Sequence, residues 1–424
     1  MTKLAILGGD PVLPHPLPAY PSVGRAEQDA VARVVESGIL SSFYGTWGDQ
    51  YMGGPKIRAF EEQWSERFRV KHAVSVNSAT SGLFAAMGAI GIQPGDEVIV
   101  PPYTMSATVM APLIYGGIPV FVDIEPETFC LDPEAVRRAI TPRTKAILVV
   151  NLFGHPAKLH ELMAIAQEHG LKLVEDNAQG PLAMEGDQYA GTVGHIGVFS
   201  LNYHKHIHTG EGGMCVTNDD ELALRLQLIR NHGENAAEVL GLEDLTNLVG
   251  FNYRMTELSA AIGIEQLKQV DTHVERRVQL AEALTEGLSD LPGLIPPVVR
   301  EGCRHVYYVW AARYDESVVG ISREQFSQAL TAEGFPHFTG YVRPLYRLPL
   351  FQKRVAFGAY PFNLTTVQYE AGMCSVTERM WQKEFLGFEP CMYDVQPDQV
   401  NRLIEAVRKV YQHREALSAA VGSN

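Results

Sequence analysis

The chain has 424 residues, with 35 Lys and Arg against 49 Asp and Glu, so its formal net charge is −14. Hydrophobic residues make up 46% and charged residues 20%, which excludes a mainly disordered chain. The acidic balance disfavours nonspecific binding to nucleic acid or to anionic membranes. A chain of this length favours two domains, or one large α/β domain with an appendage.

The cysteines and the N-terminus exclude several further classes. The cysteines lie far apart without a CxxC pair, which argues against a disulfide framework or a structural zinc site; they are Cys130, Cys215, Cys303, Cys374 and Cys391. The first residues lack the apolar region and cleavage site of a signal peptide. The most apolar window, residues 73–92, is interrupted by polar residues and is not expected to span a membrane. We therefore expect a cytoplasmic protein.

The first two-thirds of the chain predict an α/β architecture. A helix is predicted at Arg25–Ser37, and short β-branched runs then alternate with helical patterns between residues 70 and 217. The predicted strands are Ala73–Val76, Glu97–Val100, Pro119–Asp123, Ala146–Asn151, Lys172–Glu175, Ile196–Ser200 and Met214–Thr217. The predicted helices between them include Ser81–Ala89, Pro133–Ile140 and Leu159–His169. This alternation predicts a mostly parallel sheet with helices on both faces.

The pattern changes after Tyr253. Thr256–Leu288 is predicted to form one or two long helices that link two domains. A strand at Val306–Ala312, a helix at Arg323–Glu333 and a terminal helix at Pro397–His413 follow. We therefore predict a large α/β domain over residues 1–265 and a smaller α+β domain over residues 266–424.

One lysine stands between a predicted strand end and a glycine-rich turn, in Phe199–Gly213 (FSLNYHKHIHTGEGG). This position suits Lys205 as a Schiff-base nucleophile, because the strand end holds it and glycines allow a close backbone approach. Most lysines beside turns are simply solvated, so the pattern alone decides little.

An aspartate follows another predicted strand, in Lys172–Gln179 (KLVEDNAQ). Open α/β sheets bind ligands at the carboxyl ends of their strands. Asp176 is therefore placed to pair with a protonated pyridine nitrogen, which makes a pyridoxal ring an electron sink. The ordinary alternative is an aspartate that caps a helix.

Small and hydroxyl-bearing residues separate a strand from a helix in Asn77–Leu83 (NSATSGL). Free N–H groups at a helix N-terminus bind phosphate, although Ser and Thr caps are common without one. The three segments together place a phosphate cup, a pyridine-nitrogen acid and a lysine near strand ends of one sheet. They predict a site for pyridoxal 5′-phosphate (PLP).

At these residues the sequence resembles the DegT/StrS family of PLP-dependent sugar aminotransferases, over nearly the whole chain. The most specific matches are Ser200 with Lys205 five residues on, Glu211–Gly213, Glu175–Gln179 (EDNAQ) and Gly250–Glu257 (GFNYRMTE). The resemblance implies the aspartate-aminotransferase fold (fold type I), with PLP bound by the large α/β domain.

The resemblance also implies roles for individual residues. Lys205 holds PLP as a Schiff base and moves the proton between substrate carbon and cofactor. Asp176 pairs with the pyridinium nitrogen, and Gln179 lies by the 3′ oxygen of the ring. Because some dehydratases of this fold have a histidine instead of the lysine, Lys205 favours transamination.

The cofactor phosphate is expected to be shared between two subunits. Its implied ligands are Ala79, Thr80 and Ser200, together with Asn252 of the partner subunit. A homodimer with a shared active site follows from that arrangement.

One position departs from the family pattern, in Pro101–Thr108 (PPYTMSAT). Relatives place Trp or Phe where this chain has Met105, and that aromatic ring stacks on the pyridine. Either Met105 covers the ring through a sulfur–aromatic contact, or Tyr103 takes over the stacking.

Three histidines around Lys205 superficially suggest a metal site. If the segment is extended, His204, His206 and His208 share one face, but no carboxylate or cysteine completes a ligand set. We expect no metal there, and instead contacts with substrate or packing. Gly340–Tyr346 (GYVRPLY) is a candidate for contact with substrate or for a structural role.

The expected reaction is ping-pong transfer of an amino group from Glu or Gln to a keto-cyclitol or keto-sugar, in secondary-metabolite biosynthesis. The strings GGDPV (residues 8–12) and RPLYRLPLF (residues 343–351) resemble the glutamine:scyllo-inosose branch, which feeds aminocyclitol antibiotics. The alternatives are a nucleotide-sugar aminotransferase, a PLP-dependent lyase or dehydratase of the same fold, and a non-catalytic sensor.

Overall fold

The structure is a computed structural model that describes residues 3–421, with side chains through residue 417. Its strands are β1 (His72–Val76), β2 (Glu97–Val100), β3 (Ile118–Phe121), β4 (Thr144–Val150), β5 (Lys172–Asp176), β6 (Met184–Glu185), β7 (Gln188–Tyr189), β8 (Ile196–Ser200), β9 (Gly213–Thr217), β10 (Leu294–Ile295), β11 (Cys303–Arg304), β12 (Trp310–Tyr314), β13 (Phe338–Thr339) and β14 (Phe385–Phe388). Its α-helices are α1 (Arg25–Ser37), α2 (Pro55–Phe68), α3 (Ala79–Ala89), α4 (Ser106–Met110), α5 (Pro133–Ala139), α6 (Leu159–Glu168), α7 (Asp220–Arg230), α8 (Glu257–Lys268), α9 (Val270–Leu288), α10 (Glu316–Val319), α11 (Arg323–Ala332), α12 (Pro349–Gln352), α13 (Ser375–Arg379), α14 (Pro397–Gln412) and α15 (Arg414–Val421).

A seven-stranded sheet forms the centre of the molecule, in the order β1-β9-β8-β5-β4-β2-β3. Strands β8, β5, β4, β2 and β3 are parallel, while β9 runs antiparallel to both of its neighbours. Their side chains are almost entirely buried, as expected for strands covered on both faces. The predicted α/β class with a mostly parallel sheet is confirmed.

Helices cover both faces of this sheet. On one face, α3 contacts β8, β9 and α7. On the other face, a first core includes Trp64, Phe68 and Phe199. Trp64 stacks on Phe68 with ring centroids 4.8 Å apart. Burial of an aromatic side chain such as Phe68 stabilises the fold by about 1.5–3 kcal/mol relative to its exposure, so α2 is firmly held against the sheet.

A second core surrounds a smaller sheet, in the order β10-β12-β14-β13. Helix α9 joins the two cores, because Val274 packs in the first and Leu284 in the second. The second core also takes up Leu4 and Leu13 from the N-terminal segment. The division of the chain at residue 265 stays a prediction.

The predicted strand at Val306–Ala312 is confirmed only at its C-terminal end, because β12 spans Trp310–Tyr314. Strand β12 begins only at Trp310, because Val306 N donates to Gly154 O (3.0 Å) and Val309 N to Phe153 O (3.3 Å). These bonds attach the segment to a loop of the first core rather than to a neighbouring strand. The long helical stretch is in fact two helices, α8 and α9, which meet at Gln269.

Candidate active site

The first part of the site is the N-terminus of α3, directly after β1. Ser78 caps this helix, since its hydroxyl accepts a hydrogen bond from Ser81 N (3.1 Å). The backbone N–H groups of Ala79 and Thr80 have no hydrogen-bond partner among the described residues. They remain free to bind an anion, as helix N-termini do.

Sheet register brings Ser200 to the same place. Gly213, the first residue of β9, pairs with Val76 on one side and with Ser200 on the other. A Cβ on Gly213 would lie only 2.7 Å from Ala79 N. The absence of that atom lets the helix N-terminus approach the sheet edge closely.

Asp176 is the last residue of β5, the strand next to β8. It therefore lies at the same edge of the sheet as Ser200. It is 5% exposed, and its carboxylate accepts hydrogen bonds from Thr108 Oγ1 (2.7 Å) and Ala178 N (3.1 Å). No helix begins in the residues after it, which end in a turn. The ordinary alternative of a helix cap therefore does not hold for Asp176.

Lys205 lies in the loop between β8 and β9, with its Nζ 4.0 Å from the ring centroid of Tyr308. Burial lowers the pKa of Lys205 to about 8, although the negative charge of Asp176 opposes the shift. In turn, burial raises the pKa of Asp176, while Thr108, Ala178 and Lys205 act to lower it. Each charge therefore favours the ionised form of the other across the site.

Gln179 is held between two parts of the fold. Its Oε1 accepts from Phe153 N (2.7 Å), and its Nε2 donates to the hydroxyl of Tyr341 (3.1 Å). Gly340–Tyr346 thus reaches this site through Tyr341. Thr108 and Tyr308 were not predicted from the sequence, because a lone Thr or Tyr carries no spacing signal.

Met105 and Tyr103 occupy different environments. Met105 is 57% exposed just before α4, where its sulfur accepts from Ala107 N (3.0 Å). Tyr103 is fully buried, and its hydroxyl donates to Gly340 O (3.1 Å).

Asn252 lies at the surface beside the residues that precede α3. Its Oδ1 accepts from Arg254 Nε (2.7 Å), and Asn77 N donates to Tyr253 O (2.8 Å). The flanking rings of Phe251 and Tyr253 stack with centroids 4.7 Å apart. These contacts hold the backbone on either side of Asn252, whose side chain is exposed.

The histidines around Lys205 do not converge. The segment is a series of turns rather than extended, so alternate residues do not share a face. His206 is buried and bonds Val306 O (2.8 Å), whereas His208 bonds Ser22 Oγ (2.6 Å). Within residues 3–421 no group of three or more His, Cys, Asp or Glu is arranged to hold a metal ion.

Two further surface features bear on the site. A groove of about 1260 Å³ runs between α9 and α14, and it contains none of the predicted site residues. The groove is therefore separate from the residues that meet at the sheet edge.

Along the described part of the chain, no helix combines the length and apolar character that crossing a bilayer requires.

Comparison with known protein families decides the class. Residues 46–408 match the DegT/DnrJ/EryC1/StrS aminotransferase family. This chain belongs to that family. It is a PLP-dependent aminotransferase with the fold of the sugar aminotransferases, as the resemblance implied.

Individual relatives of this DegT-family aminotransferase cover nearly its full length. It is 35% identical to the L-glutamine:2-deoxy-scyllo-inosose aminotransferase of Micromonospora echinospora, over 98% of this chain and 99% of that one. The structure of DesI in the presence of its TDP-sugar product aligns with a TM-score of 0.81 at 30% identity, over 98% of both chains. GDP-4-keto-6-deoxymannose-3-dehydratase, with a trapped PLP-glutamate geminal diamine, aligns with a TM-score of 0.75 at 26% identity, over 93% of this chain and 100% of that one.

Proposed function

We propose that this DegT-family aminotransferase moves an amino group from Glu or Gln to the ketone of a cyclitol or related sugar by a ping-pong mechanism. The observation that carries the proposal is the meeting of Lys205 and Asp176 beside the α3 N-terminus at one sheet edge. The likeness to an L-glutamine:2-deoxy-scyllo-inosose aminotransferase over 98% of the chain supports the acceptor class. A role in secondary-metabolite biosynthesis rests on the same likeness.

The cofactor phosphate fits the cup at the start of α3. The free N–H groups of Ala79 and Thr80 supply two donors, and Ser200 adds a hydroxyl from across Gly213. The partial positive charge at the helix N-terminus stabilises the phosphate. Local groups therefore bind this anion, in a protein whose formal net charge is −14.

Lys205 and Asp176 divide the proton chemistry. PLP supplies an electron sink for the charge left on a substrate carbon that loses its proton. Lys205 Nζ would hold the cofactor covalently and would carry the proton that the substrate carbon loses. The buried carboxylate of Asp176, oriented by Thr108, keeps a proton on the pyridine nitrogen. Gln179, held by its hydrogen bonds with Phe153 and Tyr341, would lie by the ring oxygen of the cofactor.

Of the two candidates for covering the ring, Met105 is favoured. Its side chain is 57% exposed on the side of the site where α4 begins, whereas Tyr103 has no exposed surface. A methionine sulfur makes favourable contacts with aromatic rings. We therefore assign Met105 to the ring face and Tyr103 to the first core.

The lowered pKa of Lys205 predicts how PLP uptake depends on pH. Only the neutral amine attacks the PLP aldehyde. We expect the rate of PLP uptake by the apoenzyme to rise with pH and to level off above about 8, where Lys205 has lost its proton. Stopped-flow absorbance of the Schiff base measures this rate. A rate that keeps rising toward the ordinary lysine pKa of 10.5 would contradict the assignment.

A shared site in a homodimer is the proposed assembly. The exposed Asn252 follows a stretch of chain that also exposes the apolar side chains of Leu245 and of Val249, the latter to 72%. Burial of such a patch against a second copy removes apolar surface from water. Asn252 of the partner subunit would then bind the phosphate at the α3 cup.

Mixed dimers test this arrangement. Lys205→Ala and Asn252→Ala chains, each nearly inactive alone, are co-expressed and purified together. If sites are shared, one site of each mixed dimer combines Lys205 from one chain with Asn252 of the partner subunit. Random pairing makes about half of the dimers mixed, and one of the two sites in each mixed dimer is intact. About a quarter of wild-type turnover is therefore restored. Activity no higher than the average of the two parent variants would show that each chain supplies both residues to its own site.

A donor and acceptor screen tests the reaction itself. Purified holoenzyme is treated with Gln or Glu, and the absorbance change that marks conversion to the amine form is followed. Keto-cyclitols and nucleotide-linked keto-sugars are then added separately. We expect Gln or Glu to convert the enzyme and a keto-cyclitol to restore the starting spectrum. Failure of every amino donor to change the spectrum would refute the proposal.

The second candidate acceptor is a nucleotide-linked keto-sugar. The structural likeness to DesI, with a TM-score of 0.81 and a TDP-sugar product, favours it specifically. Reversal of the spectrum by such a ketone and not by a keto-cyclitol would decide for this alternative. The dehydratase alternative would instead release water from the sugar, and mass spectrometry of the product distinguishes the two reactions.

A further inference from the structure

Glu389 lies directly after the last residue of β14 and continues its extended backbone, with φ −102° and ψ 92°. Side chains alternate between the two faces of a strand. Leu386 and Phe388 pack in the second core, whereas Phe385 packs in the first. Glu389 therefore shares the face of Phe385 and points toward the central sheet.

This face of β14 adjoins the Lys205 site. Phe388 pairs with Trp310 across the sheet, so the next residue, Glu389, lies beside residues 308–309. Tyr308 is the residue whose ring lies 4.0 Å from Lys205 Nζ. The negative charge of Glu389 also contributes to raising the pKa of both Lys205 and Tyr341.

The carboxylate of Glu389 is unpaired among the described residues. It is half-buried, yet no hydrogen bond or ion pair with another described side chain or backbone group involves it. Burial raises the pKa of Glu389, and Lys205 acts to lower it. Neither oxygen of Glu389 is among the fully buried side-chain atoms that lack a hydrogen-bond partner, so the carboxylate still reaches solvent and is free to bind a ligand. Asp176 raises the pKa of Lys205 more than Glu389 does, so Glu389 is not the main counter-charge of that lysine.

We propose that Glu389 is a specificity-determining residue whose carboxylate accepts hydrogen bonds from hydroxyl or ammonium groups on the ring of the acceptor. This inference rests on the proposed function, since it assigns a recognition group for the polyol ketone of that reaction. An ionised carboxylate only accepts hydrogen bonds. A ring that carries O–H or N–H donors satisfies it, whereas an anionic acceptor is repelled. The same residue therefore favours neutral or cationic acceptors.

Glu389→Gln tests this inference in the holoenzyme, with Glu384→Gln as the matched control. Glu384 lies directly before the same strand, where its carboxylate accepts a hydrogen bond from Arg379 Nε (2.7 Å). Each enzyme is converted to its amine form with Gln or Glu and then mixed rapidly with acceptor. The probes are 2-deoxy-scyllo-inosose and its analogue with an amino group in place of one hydroxyl.

We expect Glu389→Gln to raise the half-saturating concentration about tenfold for the hydroxyl acceptor, because a charged hydrogen bond becomes neutral. The expected increase is about 100-fold for the ammonium acceptor, which also loses an ion pair. The half-reaction with the amino donor should change less than about threefold, and Glu384→Gln should change neither.

Unchanged acceptor saturation in Glu389→Gln, with normal wild-type turnover, overturns this inference alone. Equal slowing of both half-reactions also overturns it, because Glu389 would then act on Lys205 rather than on the acceptor. If the donor converts the wild type but no polyhydroxylated ketone restores its spectrum, the acceptor class of the proposed function fails as well.

Discussion

Lys205→Ala is expected to lower turnover by at least about 10³-fold, because it removes both the covalent attachment of PLP and the group that moves the proton. The variant should bind PLP only reversibly, so gel filtration should strip it of the cofactor. The fold should persist, since Lys205 is only half-buried and its Nζ makes no hydrogen bond or ion pair within the described residues. Steady-state turnover and the Schiff-base absorbance measure the effect.

The matched control for this variant is Lys172→Ala. Lys172 begins β5, the strand that ends at Asp176, and so lies at the opposite edge of the same sheet. Its removal should leave both the Schiff-base absorbance and turnover unchanged. If Lys205→Ala retains turnover, the assigned chemistry is wrong, because the reaction then does not require the Lys205 amine.

Asp176→Asn is expected to lower turnover by about 10²–10⁴-fold while PLP stays attached to Lys205. Asparagine keeps the size of the side chain and a hydrogen bond with Thr108, but it cannot hold a proton on the pyridine nitrogen. The pH midpoint for PLP uptake should also fall below about 8, because Asp176 is the main charge that raises the pKa of Lys205. Turnover and the pH profile of uptake check the two parts separately.

Asp219→Asn separates this role from ordinary helix capping. Asp219 caps α7, where its carboxylate accepts from Glu221 N (2.9 Å) and Leu222 N (3.1 Å). Since Asn caps helices about as well as Asp, stability and turnover should both be nearly unchanged. If Asp176→Asn behaves like Asp219→Asn, with full activity, Asp176 is only structural.

The strands of the sheet were predicted well from the sequence, because a buried strand is visible there as a continuous apolar run. The run at Glu97–Val100 and the run at Ile196–Ser200 form β2 and β8 with the predicted bounds. A strand covered on both faces has to be apolar throughout, and that property is local. The predicted strand at Val306–Ala312 had the same local composition, but only its last three residues belong to β12, because distant carbonyl groups of Phe153 and Gly154 accept hydrogen bonds from its first residues.

The same reasoning applies to the residues of the site. Lys205, Asp176 and the α3 cup each follow a strand, so their approach to one edge follows from parallel strand order. Thr108 and Tyr308 reach the site from segments 68 residues before Asp176 and about a hundred residues after Lys205. No local spacing encodes such contacts, and they emerge only when the chain folds.

By itself, the sequence determined the α/β class, the cofactor and the strand ends at which the reactive groups lie, because apolar runs and capping residues act over a few neighbours. Only the tertiary structure decided the protonation environment of the site. It half-buries Lys205 within the electrostatic influence of Asp176, buries Tyr103 while leaving Met105 exposed, and brings the negative charge of Glu389 close enough to affect the pKa of the lysine. Burial and charge depend on which distant segments pack together, and that information resides in the whole fold.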